Sequence, residues 1–206
     1  MCANCGKRLF AWIMAQGSGT YNKFVGEKKQ SLFANLHGKV LEIGPGTGAN
    51  LPYFPKSINW VGIEPNPYMH NYLKQEAYKL GLDNIDLRTG TAESIEAGDN
   101  SIDAVVSTLV LCSVPNLAET LQEILRVLKP GGQFLFIEHV AAPQGTLLQK
   151  VQTTVRPVWK IIGDGCHPDR ETWLGLEKAG FTSLNYEHFQ APMPIVSPHI
   201  IGVGTK

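Results

Sequence analysis

The turn Gly44-Pro45-Gly46-Thr47-Gly48 follows the short apolar segment 40–43, and this succession constrains the fold more than any other part of the sequence. Glycine lets a backbone turn tightly and approach a ligand without a Cβ in the way. In doubly wound sheets, such a turn lies beyond the carboxyl end of the first strand, where ligands bind. The sequence therefore predicts an α/β fold with a ligand site at residues 44–48.

The rest of the chain alternates between strand-like and helix-like segments. Strands are predicted at 40–43, 60–64, 85–88, 103–111, 133–140, 181–189 and 200–203. Helices are predicted over 7–36 with a break at 17–19, over 66–80, over 116–128 with a stop at 130–132, and over 170–179. This alternation implies right-handed crossovers and therefore a mostly parallel, Rossmann-like seven-stranded sheet with helices on both faces. The last two strands are expected to form a C-terminal antiparallel hairpin.

The length of 206 residues, 43% of them apolar, fits one domain (1–206) with a full core. We divide it into an N-terminal helical segment (1–37), a core that carries the glycine turn (38–140), an irregular insertion with one helical piece that we expect to cap a substrate (141–168), and a C-terminal helix and strand pair (169–206).

The overall composition excludes several classes of protein. The formal net charge is zero, which argues against binding to nucleic acid. No apolar run reaches the roughly 18 residues of a membrane helix, and no secretory leader is evident. The four cysteines do not have the spacing of a disulfide framework, so we expect a reducing, cytoplasmic setting. The pair Cys2 and Cys5 lacks the further ligands that zinc needs, so we expect no metal site and an ordinary chain terminus.

Two carboxylates accompany the glycine turn. Its spacing is G-x-G-x-G rather than the G-x-G-x-x-G of dinucleotide sites, and Glu42 directly before it would repel a pyrophosphate. Glu42 would suit the cationic aminoacyl end of S-adenosylmethionine, directly or through water. Glu64 ends the second strand, about 20 residues further on, where a carboxylate accepts hydrogen bonds from ribose hydroxyls. Each alone is equally well an ordinary strand-end charge, but together they favour S-adenosylmethionine as the cofactor.

Five segments resemble the class I S-adenosylmethionine-dependent methyltransferases: 41–48, 61–64, 90–93, 103–107 and 126–132. The resemblance covers about residues 38–140. It implies the Rossmann-like class I methyltransferase fold, with Glu93 near the adenine amino group and Thr108 and Leu109 close to the cofactor. The predicted cofactor site comprises Glu42, Gly44, Pro45, Gly46, Gly48, Glu64, Pro65, Asn66, Thr91, Ala92, Glu93, Thr108, Leu109 and Val110.

A narrower resemblance concerns segments 108–114, 138–141, 159–166, 170–173 and 198–200, which are similar to the methyltransferase-like alkyl thiol S-methyltransferases of the endoplasmic reticulum and lipid droplets. It runs from about Lys28 to the C-terminus and implies a small thiol, including hydrogen sulfide, as the acceptor. That family carries a long apolar membrane anchor at its front, which is not apparent here. The apolar segment 9–14 either contacts a membrane surface peripherally or packs over the cofactor.

A thiol attacks a methyl group as its thiolate, and its unperturbed pKa is about 8.5, so a nearby base or cation would assist the reaction. His139, at the carboxyl end of the fifth strand, is the first catalytic candidate, and the alternative is that it positions the insertion by hydrogen bonding. Asp164 between two glycines either acts as the base, orients His139, or caps its own turn. Cys166 is a weaker candidate, since buried cysteine is usually plain packing.

Other candidates are weaker still. His167 and His199 are less favoured, and Trp159 and Trp173 either line an apolar pocket or pack in the core. Two other functions remain open at this point. Bacterial phospholipid N-methyltransferases and quinone methyltransferases share the first half of the pattern, so a lipid amine or a quinone is an alternative acceptor. A non-catalytic S-adenosylmethionine-binding module would carry the same glycine turn.

Overall fold

The computed structural model describes residues 3–17, 19–82 and 85–206. Its helices are α1 (Ala3–Gly17), α2 (Gly19–Phe33), α3 (Pro67–Lys79), α4 (Leu117–Val127), α5 (Leu147–Ile162) and α6 (Thr172–Lys178). Its strands are β1 (Lys39–Ile43), β2 (Asn59–Ile63), β3 (Asp86–Arg88), β4 (Ile102–Thr108), β5 (Leu128–His139), β6 (Ser183–Gln190) and β7 (Pro198–Thr205).

The seven strands form one sheet in the order β3-β2-β1-β4-β5-β7-β6. The first five strands pair in parallel, whereas β7 is antiparallel to both β5 and β6. The predicted parallel sheet and C-terminal antiparallel pair are confirmed. Because the chain moves outward in both directions from β1 and β4, the crevice beyond their carboxyl ends is the switch point at which doubly wound folds bind ligands.

Apolar residues on both faces of the central strands explain why helices cover both sides of the sheet. Along β4, Val105 belongs to a core cluster that includes Leu121 and Ile124 of α4. Its neighbours Ala104 and Val106 belong to a second cluster with Phe33 of α2. Successive residues of a strand point to opposite faces, so the nearly continuous apolar run of β4 builds two cores at once.

The observed strand ends correct several predicted boundaries. β4 ends at Thr108 rather than at residue 111, because Leu109 adopts a left-handed backbone with φ of 58° and the chain turns away. β5 begins at Leu128 rather than at residue 133. The segment 130–132, predicted only to stop a helix, lies inside β5 at a register shift between β4 and β5.

The insertion is more regular than predicted. Most of residues 141–168 form α5, a 16-residue helix whose N-cap is the side chain of Thr146 and which contains Pro157. α1 ends at Gly17 and α2 begins at Gly19, and Ser18, at the centre of the predicted break, lies outside the described residues. Cys2 lies outside the described residues, and Cys5 is exposed in α1. Within the described residues, the structure contains no helix of the length and apolarity that a membrane crossing requires.

Candidate active site

A cavity of about 470 Å³ lies beyond the carboxyl ends of β1, β2 and β4. Its volume falls in the range of small-molecule sites. The predicted residues that line it are Glu42, Gly44, Pro45, Gly46, Glu64, Pro65, Thr91, Ala92, Glu93, Thr108, Leu109, Val110 and Asp164. A larger cavity of about 660 Å³ lies at the other edge of the sheet, near the amino ends of β1 and β2, away from the glycine turn.

The glycine turn needs glycine for two different reasons. Gly44 and Gly46 have left-handed φ angles of 58° and 56°. A Cβ on Gly44 would lie 2.6 Å from Cγ2 of Val110, whereas a Cβ on Gly46 would meet no atom within 4 Å. Gly44 therefore permits the turn to pack against the segment after β4, and Gly46 leaves the cavity floor open.

Glu42 is only 1% exposed and forms hydrogen bonds with neighbouring side chains. Its carboxylate accepts hydrogen bonds from Asn50 Nδ2 at 2.8 Å and from Trp60 Nε1 at 2.9 Å. Burial raises its pKa to about 7, against the opposing effect of these bonds. Asn50 Nδ2 also donates to Thr108 Oγ1 at 3.0 Å. Glu42 thus orients Asn50, so any direct contact with a cofactor must share its oxygens with these two donors.

Glu64 ties the end of β2 to the glycine turn. One carboxylate oxygen accepts from the backbone N–H of Gly46 at 3.0 Å, and the other accepts from that of Asn66 at 2.8 Å. Burial raises its pKa although both bonds act in the opposite direction. Each carboxylate oxygen can accept more than one hydrogen bond, so Glu64 retains capacity for a ligand hydroxyl at the cavity wall.

Three buried polar atoms on cavity-lining residues have no hydrogen-bond partner among the described residues: Tyr21 OH, Asn50 Oδ1 and Glu93 Oε1. An unsatisfied buried polar group costs about 1–3 kcal/mol. Their presence around one cavity is typical of a site for a ligand with several polar groups. Glu93, for which the sequence predicts a place beside an amino group of the cofactor, is one of these three residues.

Phe10 and Met14 line this cavity, in line with the alternative that segment 9–14 packs over it, but sequence reasoning missed Lys7 of α1 and Tyr21, Asn22 and Lys29 of α2. Lys29 is wholly buried, and its Nζ donates to Asn22 Oδ1 at 2.9 Å and to the carbonyl of Ala49 at 3.3 Å. Burial lowers its pKa to about 8. The signal was the i, i+3, i+7 spacing of Lys7, Phe10 and Met14, which puts all three on one helical face.

Two predicted cofactor residues have structural positions instead. Gly48, with φ of 90°, packs so closely on Leu51 that a Cβ would lie 3.0 Å from its Cδ1. Asn66 caps α3 by accepting from the N–H of Tyr68, and its Nδ2 donates to the carbonyl of Lys7 at 3.0 Å. Neither residue lines the cavity, so both support the residues that do.

A third buried carboxylate, Glu138, was not predicted to have a role near the site. It is fully buried and accepts from Ser107 Oγ at 2.5 Å, from the N–H of Val110 at 3.2 Å and from that of Leu111 at 3.1 Å. Burial raises its pKa to about 7. These bonds hold the left-handed turn at Leu109 against the end of β5. Strand alternation could have indicated that Glu138 has different neighbours from His139, because consecutive residues of a strand point to opposite faces of the sheet.

The structure separates the two predicted catalytic residues. His139 is 3% exposed, and its Nε2 lies 3.0 Å from Cys166 Sγ. Among the described residues it does not line the cavity, so the catalytic role predicted for it has no cavity contact behind it. Asp164 does line the cavity, with a left-handed φ of 46°. The hydrogen bonds of the described residues do not join Asp164 to His139.

The weaker candidates Trp159, Trp173, His167 and His199 do not line the cavity. Trp159 Nε1 donates to Cys166 Sγ at 3.3 Å, and Trp173 packs against His188, so neither indole lines the cavity. His199 stands opposite His139 in the pairing of β5 and β7. Burial lowers its pKa to about 4. The backbone N–H of His167 donates to the carbonyl of Cys112.

This strand order, with a glycine turn and two acidic strand ends at the switch point, defines a class I methyltransferase. A family model described as a methyltransferase domain matches residues 41–136. The crystal structure of an S-adenosylmethionine-dependent methyltransferase from Aquifex aeolicus superposes with a TM-score of 0.64 at 18% identity, covering 96% of this chain and 97% of that one. The fold and the family imply S-adenosylmethionine as the methyl donor.

The chain belongs to the thiol S-methyltransferase family within this class. It is 39% identical to human thiol S-methyltransferase TMT1A, over 97% of this chain and 87% of that protein. Rat thiol S-methyltransferase TMT1B is 38% identical, with the same two coverages. These matches extend through the insertion and the C-terminal strands, beyond the part of the chain that the domain model matches.

Proposed function

We propose that the chain binds S-adenosylmethionine in the 470 Å³ cavity and transfers its methyl group to the sulfur of small or alkyl thiols, including hydrogen sulfide. The observation that carries the cofactor assignment is the set of three unpartnered polar atoms, on Tyr21, Asn50 and Glu93, around the glycine turn. The thiol assignment is supported by the 39% identity to human TMT1A, which covers the insertion as well as the core.

The polar groups of the cavity fit the three parts of the cofactor. Asn50 Oδ1, held by Glu42, suits the ammonium group, and the buried cation of Lys29 suits the carboxylate. Glu64 suits the ribose hydroxyls, and Glu93 Oε1 suits the adenine amino group. Bound S-adenosylmethionine supplies an electrophilic methyl carbon. The protein must then align the thiol for in-line attack and exclude water from the reacting atoms.

On the acceptor side, Asp164 is the charged group that reaches the cavity. It lies between Gly163 and Gly165, and all three line the cavity together with Ser113 and Pro115. We propose that its carboxylate receives the proton of the acceptor thiol as the thiolate forms. His139, which lies behind this loop and contacts Cys166, is proposed to hold the loop in position rather than to touch the acceptor.

A panel of acceptors tests the thiol assignment. Purified protein with labelled S-adenosylmethionine should methylate alkyl thiols and hydrogen sulfide, and calorimetry should show stoichiometric cofactor binding. If an amine, a quinone or a phenol accepts methyl while every thiol fails, the thiol proposal is wrong. Cofactor binding without turnover on any acceptor would favour a non-catalytic binding module, since a fold does not by itself imply catalysis.

We also propose that a cytoplasmic form of the protein contacts anionic membrane surfaces peripherally. The outer face of α5 exposes Leu147, Val158, Ile161 and Ile162, each by more than 60%. This helix contains three basic residues, Lys150, Arg156 and Lys160, and no acidic one. Leu9, Trp12 and Ile13 of α1 are also about half exposed, beside Lys7 and Arg8. Such basic amphipathic faces bind anionic lipid.

Vesicle sedimentation tests the membrane contact. The protein should sediment with vesicles that contain phosphatidylserine, and less with pure phosphatidylcholine vesicles. The double variant Ile161→Ser, Ile162→Ser should reduce the bound fraction, while Tyr78→Ser, a change at an exposed aromatic of α3, serves as the control. Equal sedimentation of all three proteins would contradict the proposed surface.

A further inference from the structure

Three metal-ligating side chains meet behind the wall of the cavity. Cys112 follows β4, His139 ends β5, and Cys166 follows α5. Their two sulfur atoms and one imidazole nitrogen all lie within 4.8 Å of one another. Each residue is buried, with 2%, 3% and 9% of its surface exposed. The sequence separates them by 27 residues at each step, so no motif reveals the cluster.

The donor set is soft. Thiolate and imidazole are the ligands that zinc and related soft ions prefer, whereas magnesium and calcium need oxygen. The nearest carboxylate along the chain, Glu138, is occupied by Ser107 and by two backbone N–H groups. With Zn–S of about 2.3 Å and Zn–N of about 2.0 Å, tetrahedral ligand atoms lie roughly 3.5–3.8 Å apart. His139 Nε2 and Cys166 Sγ are 3.0 Å apart and no pair in the cluster exceeds 4.8 Å, so binding an ion requires shifts of about 1 Å or less.

The outward-facing nitrogen of the His139 ring bears on how a metal would orient that ring. His139 Nδ1 and His199 Nε2 are buried and have no partner among the described residues. The two rings are neighbours, with centroids 6.2 Å apart. A metal ion on Nε2 of His139 fixes the tautomer of the ring and leaves Nδ1–H as a donor for a bound water or for a neighbouring group.

We propose that Cys112, His139 and Cys166 bind a zinc-class divalent ion. Three protein ligands leave a fourth coordination position, as in zinc sites that hold water or a small ligand. The ion would join the turn after β4, the end of β5 and the loop after α5. Ser113 and Gly165, each adjacent to a ligand, line the cavity, so the ion would brace the acceptor side of its wall.

Titration of the reduced, metal-stripped full-length chain tests the site without any acceptor or cofactor. Zinc should bind at one equivalent in competition with a chromogenic chelator. Cobalt in its place should give a thiolate-to-metal charge-transfer band and the visible bands of a tetrahedral site. Cys112→Ser and Cys166→Ser should each lower zinc affinity by at least about tenfold, while Cys5→Ser, at an exposed cysteine, should leave it unchanged.

Several outcomes overturn the proposal. One is that reduced wild-type protein binds no zinc and gives no cobalt charge-transfer band, a test that needs no variant to fold. Another is that Cys112→Ser and Cys166→Ser bind as tightly as wild type. A site lost in Cys5→Ser instead would assign the ion to the pair Cys2 and Cys5. If Cys112→Ser does not fold, His139→Asn and Cys166→Ser carry the same comparison.

Discussion

The two sides of the active-site cavity are built in different ways. On the proposed cofactor side, short runs of sequence at neighbouring strand ends bring Gly44, Gly46 and Glu64 together, and Glu64 accepts a hydrogen bond from the N–H of Gly46. On the proposed acceptor side, Asp164 reaches the cavity from a loop in which Cys166 contacts His139 of β5. A local motif therefore serves a cofactor that many enzymes share, while an acceptor site assembled from distant segments can change without disturbing it.

Among the variants that test the difference between the two sides, Gly44→Ala is expected to have the largest effect on stability. The new Cβ would meet Val110 Cγ2 at 2.6 Å on a left-handed backbone, so we expect a loss of about 2–5 kcal/mol of unfolding free energy. Gly46→Ala has the same strain but open space, so it should cost only about 1–2 kcal/mol while weakening cofactor binding. Chemical denaturation measures both. Equal destabilisation would show that contact with the segment after β4 is unimportant.

Glu42→Gln should change how stability depends on pH. Burial raises the folded-state pKa of Glu42 from 4.5 to about 7, so its favourable contribution is complete below pH 4.5 and is lost as the pH rises through 7. Between pH 5 and 8, the unfolding free energy of wild type should therefore fall by about 2–3 kcal/mol more than that of the variant. Urea denaturation at several pH values measures the difference. Parallel curves for the two proteins would mean that Glu42 is ionised throughout.

Glu64→Gln should weaken S-adenosylmethionine binding by about 1.5–3 kcal/mol through the loss of charge-assisted hydrogen bonds. Calorimetry of cofactor binding measures the effect. Glu96→Gln, at an exposed carboxylate after β3, is the matched control. Unchanged affinity of Glu64→Gln would show that the ribose lies elsewhere in the cavity.

The smallest effect is expected on the acceptor side. Asp164→Asn should lower thiol turnover by about tenfold, below the usual range for general bases because this carboxylate is exposed, and should leave cofactor affinity unchanged. The loss should be larger for an alkyl thiol than for a more acidic aromatic thiol, which needs less help to ionise. Steady-state kinetics with both acceptors measure it. Uniform losses across acceptors would assign Asp164 to loop structure.

The variant His139→Asn tests whether His139 positions the loop or acts as the base. If His139 positions the loop, turnover should fall similarly for alkyl and aromatic thiols, because the protonation of the acceptor is untouched. A loss restricted to the less acidic thiol would instead restore His139 as a base. Circular dichroism and cofactor affinity, measured alongside the kinetics, separate either result from unfolding.

The sequence predicted the parts of the molecule that depend on local patterns. The order of strands, the glycine turn and its carboxylates follow from apolar runs and from residue types at fixed offsets, so most of the strand-end residues that line the cavity were predicted. Val110 against Gly44 and Asn50 against Glu42 are tertiary contacts that no spacing indicates. Tyr21 and Lys29 were missed because a polar residue on an otherwise apolar helical face is normally solvated.

The errors on the acceptor side have a common physical cause. Pro157, Gly163 and Gly165 suggested an irregular insertion, yet α5 includes Pro157 and the glycines mark only its end. The end of a strand predicts a position along the sheet, not the face to which a side chain points. His139 ends β5 as expected, but its imidazole contacts Cys166 and does not line the cavity.

Helix α1 has one consequence for regulation of the enzyme. Phe10 and Met14 line the cavity, while Leu9, Trp12 and Ile13 of the same helix are exposed. If this outer face contacts a membrane, α1 takes part both in binding the methyl donor and in binding the membrane. Thermodynamic reciprocity then requires that any change the membrane makes in the affinity for the methyl donor equals the change the donor makes in the affinity for the membrane. The level of methyl donor in the cell would thereby help to determine how much of the enzyme is at the membrane.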